Sequence, residues 1–112
     1  MTTITSGAGY ATLINVFTVE PAKSRELVAL LTAVTDTVMQ DVPGFISANI
    51  HLSTDGARVV NYAQWESADA YAAMLADPTA REHMSAAAGL AISFDPHLYT
   101  VESVHDHGSQ PQ

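Results

Sequence analysis

Alternating hydrophobic and polar positions on either side of Asp55-Gly56 are the clearest pattern in the chain. Side chains of a strand point to the two faces of a sheet in turn, so alternation of this kind is typical of strands. An Asp-Gly pair between two such runs is a strong short-range signal for a hairpin closed by a two-residue type I′ turn. The pattern therefore predicts two paired strands over residues 44–65.

The turn also predicts the pairing of the two strands, with Ser53 opposite Arg58, Ile50 opposite Asn61 and Ile46 opposite Trp65. The carboxamide of Asn61 and the indole of Trp65 then lie on one mainly apolar face, where their polar atoms need partners once buried. That face is either a core with two anchored polar groups or the floor of an apolar pocket. It comprises Ile46, Ala48, Ile50, Leu52, Val59, Asn61, Ala63 and Trp65, whereas the opposite face comprises Phe45, Ser47, Asn49, His51, Val60, Tyr62 and Gln64.

Helical spacing and breaker residues predict the rest of the chain. In order, the predicted elements are a central strand over residues 11–19, a helix that starts near Ser24 and ends before Pro43-Gly44, the hairpin, a helix capped by Ser67 and broken at Asp77-Pro78, a second helical piece from Thr79 to Ala88, and a last strand over residues 96–105.

The order β, α, β, β, α, β predicts an α+β, ferredoxin-like βαββαβ fold, since this is the simplest topology that keeps right-handed crossovers. It predicts a single domain over residues 1–112 with a four-stranded antiparallel sheet and an ordered core of about residues 10–105. The small, polar ends, up to Gly9 and from Gly108, are predicted to fray. The sheet face away from the helices has too many apolar groups for solvent, which predicts a homodimer packed sheet to sheet. The alternative is a monomer with a mixed open face.

Composition excludes several kinds of site. There is no cysteine, which excludes disulfides, thiolate metal sites and cysteine nucleophiles. A formal charge of −8 from four basic and twelve acidic residues makes nucleic acid and anionic membranes poor partners. The chain has no hydrophobic run of membrane-spanning length and no signal-peptide pattern, which predicts a cytoplasmic location. This composition and net charge favour a neutral aromatic or apolar ligand instead.

The histidines give little sign of a metal centre. His105 and His107, with Asp106 between them, lie near the end of the chain, where a solvated tail explains them better than a metal site. His83 lies on the second helical piece, where it either faces the pocket beside Asn61 and Trp65 or is an exposed helical histidine.

The run VPGFISANIHLSTDGARVVNYAQWESADAY, from Val42 to Tyr71, resembles the antibiotic biosynthesis monooxygenase family. Members of this family are small, cofactor-free oxygenases that convert anthrone-type or naphthacenone intermediates of aromatic polyketide pathways to quinones. The PGF turn, the STDG hairpin and the NYAQWES strand all match, and the order of elements agrees along nearly the whole chain.

The resemblance implies a dimer with one pocket per subunit between sheet and helices, no cofactor, and a polycyclic phenolic substrate that reacts with O2. It assigns the catalytic positions to Asn15, Asn61 and Trp65, and places Tyr71 on the helix beside them. Two family positions differ here. A pocket tyrosine of one branch falls at Ile50, and a helical arginine has no counterpart, the nearest residues being His83 and Met84.

An oxygenase without a cofactor needs few functional side chains, because the phenolate or enolate form of the substrate can itself give an electron to O2. The protein has to promote deprotonation, stabilise an oxyanion and exclude water. The amides of Asn15 and Asn61 and the indole N–H of Trp65 are suitable neutral donors, and His83 or a pocket water would accept the proton. We expect Ile50, Tyr71, Met74 and His83 to contact substrate. Alternatively, the amides and the indole only satisfy buried backbone groups.

Two other functions remain open from the sequence. Haem-degrading enzymes of the same superfamily resemble the chain more distantly, through Asn15 and a helical histidine, here His83, that would bind iron. In those proteins a second tryptophan presses on the porphyrin, and Met74 occupies about that place. The third possibility is a non-catalytic dimeric module that binds a small aromatic molecule.

Overall fold

A computed structural model describes residues 1–108 as a four-stranded sheet and three helices. The sheet order is β2-β3-β1-β4 and every neighbouring pair is antiparallel. This is the ferredoxin-like α+β arrangement, which confirms the predicted fold. The elements are β1 (Ala11–Thr18), α1 (Pro21–Thr37), β2 (Phe45–Leu52), β3 (Arg58–Trp65), α2 (Ala68–Ala76), α3 (Pro78–Leu90) and β4 (Ser93–Tyr99), with a short 3₁₀ turn at Met39–Asp41 after α1.

The predicted hairpin register is confirmed from the Ala48–Ala63 pair to the Leu52–Val59 pair. The predicted pairing of Ile46 with Trp65 is wrong, because an irregularity between Phe45 and Ser47 shifts the register by one residue. Phe45 instead pairs with Trp65, and the two rings meet edge to face at 5.5 Å between centroids. A bulge of this kind moves every side chain beyond it to the other face of the sheet. Phe45 therefore joins the helix-side core, and Ile46 is exposed.

The turn itself is not the predicted type I′. That type needs a positive φ at both central residues, but Gly56 has φ 75° and no non-glycine residue of residues 1–108 has a positive φ. The N–H of Gly56 donates to the carbonyl of Ser53 at 2.9 Å. The Asp55 carboxylate accepts from the Ser53 hydroxyl at 2.7 Å and from the Ala57 N–H at 2.9 Å. These hydrogen bonds, the one from Ser53 first, lower the pKa of Asp55.

Proline and the capping residues set the helix boundaries. Helix α1 begins at Pro21, earlier than the predicted start at Ser24, because proline suits the first helical position. Ser24 is buried, and its hydroxyl donates to the Pro21 carbonyl at 2.9 Å. Ser67 caps α2 as predicted, accepting from the Ala70 N–H at 3.1 Å. The predicted break at Asp77-Pro78 is also confirmed, since α2 ends and α3 begins there.

Two predicted ends at the C-terminal side of the fold are wrong. Helix α3 does not end at Ala88 but continues to Leu90, with Gly89 inside it. The last strand is Ser93–Tyr99 rather than residues 96–105. Pro96 is therefore within β4 and not at its start. Proline is tolerated there because β4 is an edge strand with one side unpaired.

The core lies between the helices and one face of the sheet, in two clusters of buried residues, one around Trp65 and Met74, the other around Phe17 and Leu27.

The N-terminal segment, predicted to fray, lies against the opposite face of the sheet. There the hydroxyl of Thr2 donates to Asn49 Oδ1 at 3.1 Å, and the Gln64 amide donates to the Thr3 carbonyl at 2.7 Å. The fraying predicted beyond Gly108 lies outside the described residues. No helix within residues 1–108 is both long and apolar enough to cross a membrane.

Candidate active site

Three polar side chains lie in the helix-side face of the sheet. Asn15 of β1 and Asn61 of β3 are directly paired across the two strands. Trp65 lies on the same face four residues further along β3, opposite Ala11. Alternation places all three side chains under the helices, among residues that are otherwise apolar. The structure therefore brings together the three residues predicted to be catalytic, on one face of two adjacent strands.

Each of these three side chains has a buried polar atom without a hydrogen-bond partner among the described residues. The atoms are Oδ1 of Asn15, Oδ1 of Asn61 and Nε1 of Trp65. Trp65 and Asn15 are both 2% exposed. A buried polar atom left unpaired costs about 1–3 kcal/mol of stability. Three such atoms in adjoining strands favour a site whose partners are supplied by a bound molecule over a purely structural role, in which the amides and the indole would bond to the backbone.

Asn15, Asn61 and Trp65 form a polar row on the sheet, and Tyr71 of α2 connects this polar row to the helices. The centroid of its ring lies 5.9 Å from the centroid of the Trp65 ring, and the two ring planes meet at 62°. The phenol is half-buried, and this burial raises the pKa of Tyr71 above its usual value of 10.0. Tyr71 is therefore a neutral hydrogen-bond donor at ordinary pH and not a base.

A cavity of about 430 Å³ opens between the sheet and the last two helices. Its volume falls within the range of about 300–1,000 Å³ that is typical of small-molecule sites. Its walls are mainly apolar, with a few polar groups. The lining residues are Asn15 and Phe17 of β1, Tyr71 and Leu75 of α2, Arg81, Met84, Ser85 and Ala88 of α3, and Phe94 and Pro96 of β4.

The predicted site residues differ in their relation to this cavity. Asn15 and Tyr71 line it. Asn61 and Trp65 do not, but each adjoins a residue that does: Asn61 pairs with Asn15, and Trp65 packs against Tyr71. The Trp65 ring therefore lies next to a lining residue, Tyr71, and is not itself part of the cavity wall.

Two predicted contact residues lie in the core. Ile50, opposite Asn61, packs against the cluster around Phe17, and Met74 is buried in the cluster around Trp65. Neither is among the residues that line the cavity. Ile50 is on β2, on one side of Asn61, and the cavity is on the other side, toward β1 and β4. It opens there because the helices leave the edge strand β4 uncovered.

His83 is not among the residues that line the cavity, contrary to the expectation that it faces the pocket beside Asn61 and Trp65. The lining residues of α3 lie at positions 81, 84, 85 and 88, which is one helical face. His83 is two residues from Arg81, about 200° around a helix of 3.6 residues per turn. Its half-buried ring therefore projects from another side of α3.

This position also removes the main support for the haem alternative, in which His83 would bind iron. For a metal ion held by protein side chains alone, residues 1–108 contain no group of three or more histidine, cysteine, aspartate or glutamate side chains placed to bind it. Met74, at the position compared with a porphyrin-packing tryptophan, is 3% exposed and lies in the core.

The sequence interpretation missed Arg81, Ser85 and Phe94. The spacing from Arg81 to Met84, Ser85 and Ala88 is a helical stripe, and this stripe was available as a signal. Phe94 lay outside the predicted last strand, although in the structure it pairs with Phe17. The family's helical arginine was given no counterpart, with His83 and Met84 as the nearest residues, and Arg81, two residues before His83, lines the cavity wall.

A ferredoxin-like sheet with an apolar cavity under its helices and unpaired polar atoms in its floor defines a small-molecule site. A family model described as antibiotic biosynthesis monooxygenase matches residues 11–86. The chain belongs to this family and is a monooxygenase, which confirms the resemblance and the predicted reaction type.

Three relatives are informative. The tetracenomycin-F1 monooxygenase of Streptomyces glaucescens is 49% identical over 83 residues, which is 74% of each chain. The ActVA-Orf6 monooxygenase of Streptomyces coelicolor, solved with the ligand nanaomycin D, has a TM-score of 0.76 at 37% identity, covering 87% of this chain and 90% of that one. SnoaB, a cofactor-independent oxygenase from Streptomyces nogalater, has a TM-score of 0.70 at 26% identity, covering 86% of this chain and 96% of that one.

Proposed function

We propose that the protein oxidises a polycyclic phenolic intermediate of aromatic polyketide biosynthesis, of the anthrone or naphthacenone type, to a quinone with O2 and without a cofactor. The observation that carries this proposal is the set of three unpaired buried polar atoms, on Asn15, Asn61 and Trp65, next to an apolar cavity. The names of the relatives support the substrate class, since one acts on tetracenomycin F1 and another was solved with nanaomycin D. SnoaB supports a reaction without a cofactor.

The reaction balances without any group other than substrate and O2. Loss of a proton from the ring CH2 of the anthrone gives an extended phenolate. This anion transfers one electron to O2, and the resulting radical and superoxide combine to form a C–O bond. After protonation the product is a hydroperoxide, which loses water as the carbon becomes a carbonyl. One oxygen atom of O2 enters the quinone and the other leaves as water.

Neutral donors in an apolar cavity suit this anion. Placed where negative charge develops, such donors stabilise it more strongly than they would in water. An amide presents its N–H2 or its oxygen after a simple flip, so Asn15 and Asn61 can donate to a phenolate oxygen or accept from a phenol. The indole N–H of Trp65 donates only. For it to reach the substrate, the Tyr71 ring that packs against it has to shift as the substrate enters.

The first proton goes to water in this proposal. Among the described residues, Tyr71 and Arg81 are the titratable side chains that line the cavity. Burial raises the pKa of Tyr71, so its phenol is not a base at neutral pH, and a guanidinium group offers donors but no acceptor. His83 projects from a different face of α3. The substrate itself favours the step, because its phenolate is delocalised over the fused rings and is held by the neutral donors.

Purified, chelator-treated protein mixed with the anthrone dithranol tests the proposal. We expect quinone absorbance to rise with matching O2 consumption, and Trp65→Phe and Asn61→Ala to lower kcat by roughly tenfold or more each, as loss of one oxyanion donor does. Asn49→Ala is the matched control, since Asn49 lies on the opposite face of the sheet. Ligand binding without O2 uptake would identify a binding module instead. If both site variants equal the parent protein, the assignment of Asn61 and Trp65 is wrong.

A homodimer packed through the outer face of the sheet is the second part of the proposal. On that face Ile14, Val16, Val60 and Tyr62 are only partly buried, although Thr2 and Thr3 cover part of it. Sedimentation equilibrium tests this. We expect a dimer for the parent protein and a shift to monomer for Val60→Glu, which would bury a charge in the interface. A monomeric parent would contradict it.

A further inference from the structure

Two exposed apolar side chains lie at the rim of the cavity. Phe94 of β4 is 52% exposed and Leu75 of α2 is 41% exposed, and both line the cavity. Single exposed apolar residues are common on protein surfaces and need no explanation. These two differ because they belong to the two opposite walls of one cavity, the sheet and the helices. The rim is therefore apolar on both sides, and a flat apolar molecule between its walls would remove both side chains from water.

Phe94 continues an aromatic wall that begins inside the cavity. It pairs with Phe17 across β4 and β1, and the two ring centroids are 6.3 Å apart at an interplanar angle of 39°. Phe17 is 2% exposed, so the two rings extend from the buried floor to the rim. Every residue of β4 is exposed, and no helix covers Phe94 from the other side. A ring held in the cavity can pack against this wall, since aromatic rings attract each other at such distances.

This aromatic wall lies beside the amides and not on them. Asn15 is two residues before Phe17 on β1, so their side chains point to the same face of the sheet, about 7 Å apart along the strand. In the proposed reaction the phenol oxygen lies at Asn15 and Asn61. Each further fused ring extends the substrate from there toward the open rim. The outer ring of a three-ring substrate is therefore the one that reaches Phe94.

We infer that Phe94 is a specificity-determining residue that packs against the outer ring of substrates with three or more fused rings, with Leu75 on the other wall. This inference rests on the proposed function and narrows its substrate class by size, because a two-ring phenol held by the amides does not extend to Phe94. The contact involves carbon atoms remote from the reacting oxygen. It contributes binding energy and does not stabilise the charge that develops in the reaction.

Two quinones of different length test the inference. Juglone has two fused rings and chrysazin has three, and each carries a hydroxyl group next to a quinone carbonyl. Isothermal titration calorimetry measures the Kd of both for the parent protein, Phe94→Ala and Phe94→Tyr. We expect Phe94→Ala to raise the Kd of chrysazin about tenfold, as the loss of one stacked aromatic ring does. The Kd of juglone is expected to stay within about twofold. Phe94→Tyr keeps the ring and is expected to bind both ligands as the parent does.

Leu98→Ala is the matched control. Leu98 lies on the same strand and the same face as Phe94 and is 39% exposed, but it does not line the cavity. We expect it to leave the Kd of both quinones unchanged. Equal effects of Leu98→Ala and Phe94→Ala on chrysazin would overturn the inference, because the loss would then come from β4 as a whole.

Three other results would overturn the inference as well. The first is parental affinity of Phe94→Ala for chrysazin, and the second is an equal loss for both quinones, which would indicate a role in the fold or in a subunit contact. The third is a loss in Phe94→Tyr as large as that in Phe94→Ala, since the ring would then not be the group that binds. Oxidation of dithranol by the parent protein tests the proposed function separately, because it involves no substitution at Phe94.

Discussion

Asn15 and Asn61 face each other across β1 and β3, and the side-chain oxygen of each is buried without a partner. Two paired amides usually bond to each other or to the backbone, because unpaired buried oxygens are costly. Here the cavity opens beside Asn15, on the β4 side of the pair. In the proposed reaction this pair receives the phenol oxygen of the substrate.

Asn61→Leu is predicted to separate stability from activity. Leucine has nearly the same shape and removes the unpaired oxygen, so we expect the midpoint of thermal unfolding to stay the same or rise by a few degrees, equivalent to about 1 kcal/mol. The loss of the amide removes an oxyanion donor, and we expect kcat for dithranol to fall by roughly tenfold to a hundredfold. Calorimetry and a quinone assay measure the two effects. A destabilised variant with full activity would indicate a structural role.

His83→Gln is predicted to leave kcat and KM for dithranol within about twofold of the parent values, as is usual for a substitution outside the reacting site. The reason is that His83 lies off the face of α3 that lines the cavity. Steady-state rates across a range of pH check this. A large loss of kcat that follows a histidine titration in the parent would restore His83 as the base.

Tyr71→Phe is predicted to change the stability of the protein at high pH. Burial raises the pKa of Tyr71 in the folded state, so folding favours the neutral phenol. Its contribution to stability is complete below the unfolded pKa of 10.0 and declines as pH rises through the folded value. We expect the midpoint of thermal unfolding to fall more steeply above pH 10.0 in the parent than in Tyr71→Phe. Parallel curves would contradict this.

Gly44→Ala is predicted to destabilise the turn before β2. Gly44 has φ 84°, and a Cβ there would overlap the Cβ of Ala70 on α2. We expect a loss of about 1–3 kcal/mol in the free energy of unfolding. The control is Gly89→Ala inside α3, where a Cβ meets no atom within 4 Å. It is expected to add about 0.5–1 kcal/mol, as alanine does in place of glycine in a helix. Urea denaturation of both variants measures the difference.

Local patterns in the sequence were enough to predict the fold and the polar row of the site. Alternation and Asp55-Gly56 predicted the register from Ala48 to Leu52, which in turn put Asn61 and Trp65 on one face. The bulge at Ile46 was not predictable from alternation, because it depends on how Phe45 packs against Trp65. The turn type was also missed, since the Asp55 side chain satisfies the local donors and only Gly56 needs a positive φ.

The walls of the cavity were harder to predict than its floor. They depend on the rotation of α3 about its axis and on the start of β4, which are tertiary properties. An error in either one changes the lining residues, and for this reason His83 was named as a possible lining residue while Arg81 and Phe94 were left out. The dimer and the cytoplasmic location remain predictions.

Isotope labelling tests the central claim most directly. Chelator-treated protein is supplied with dithranol and dioxygen enriched in the heavy isotope of oxygen, and the quinone is examined by mass spectrometry soon after it forms. We predict one labelled oxygen atom per quinone, with one O2 consumed per turnover and no added metal, flavin or haem. An unlabelled quinone, or a reaction that proceeds only after one of those cofactors is added, would contradict the account.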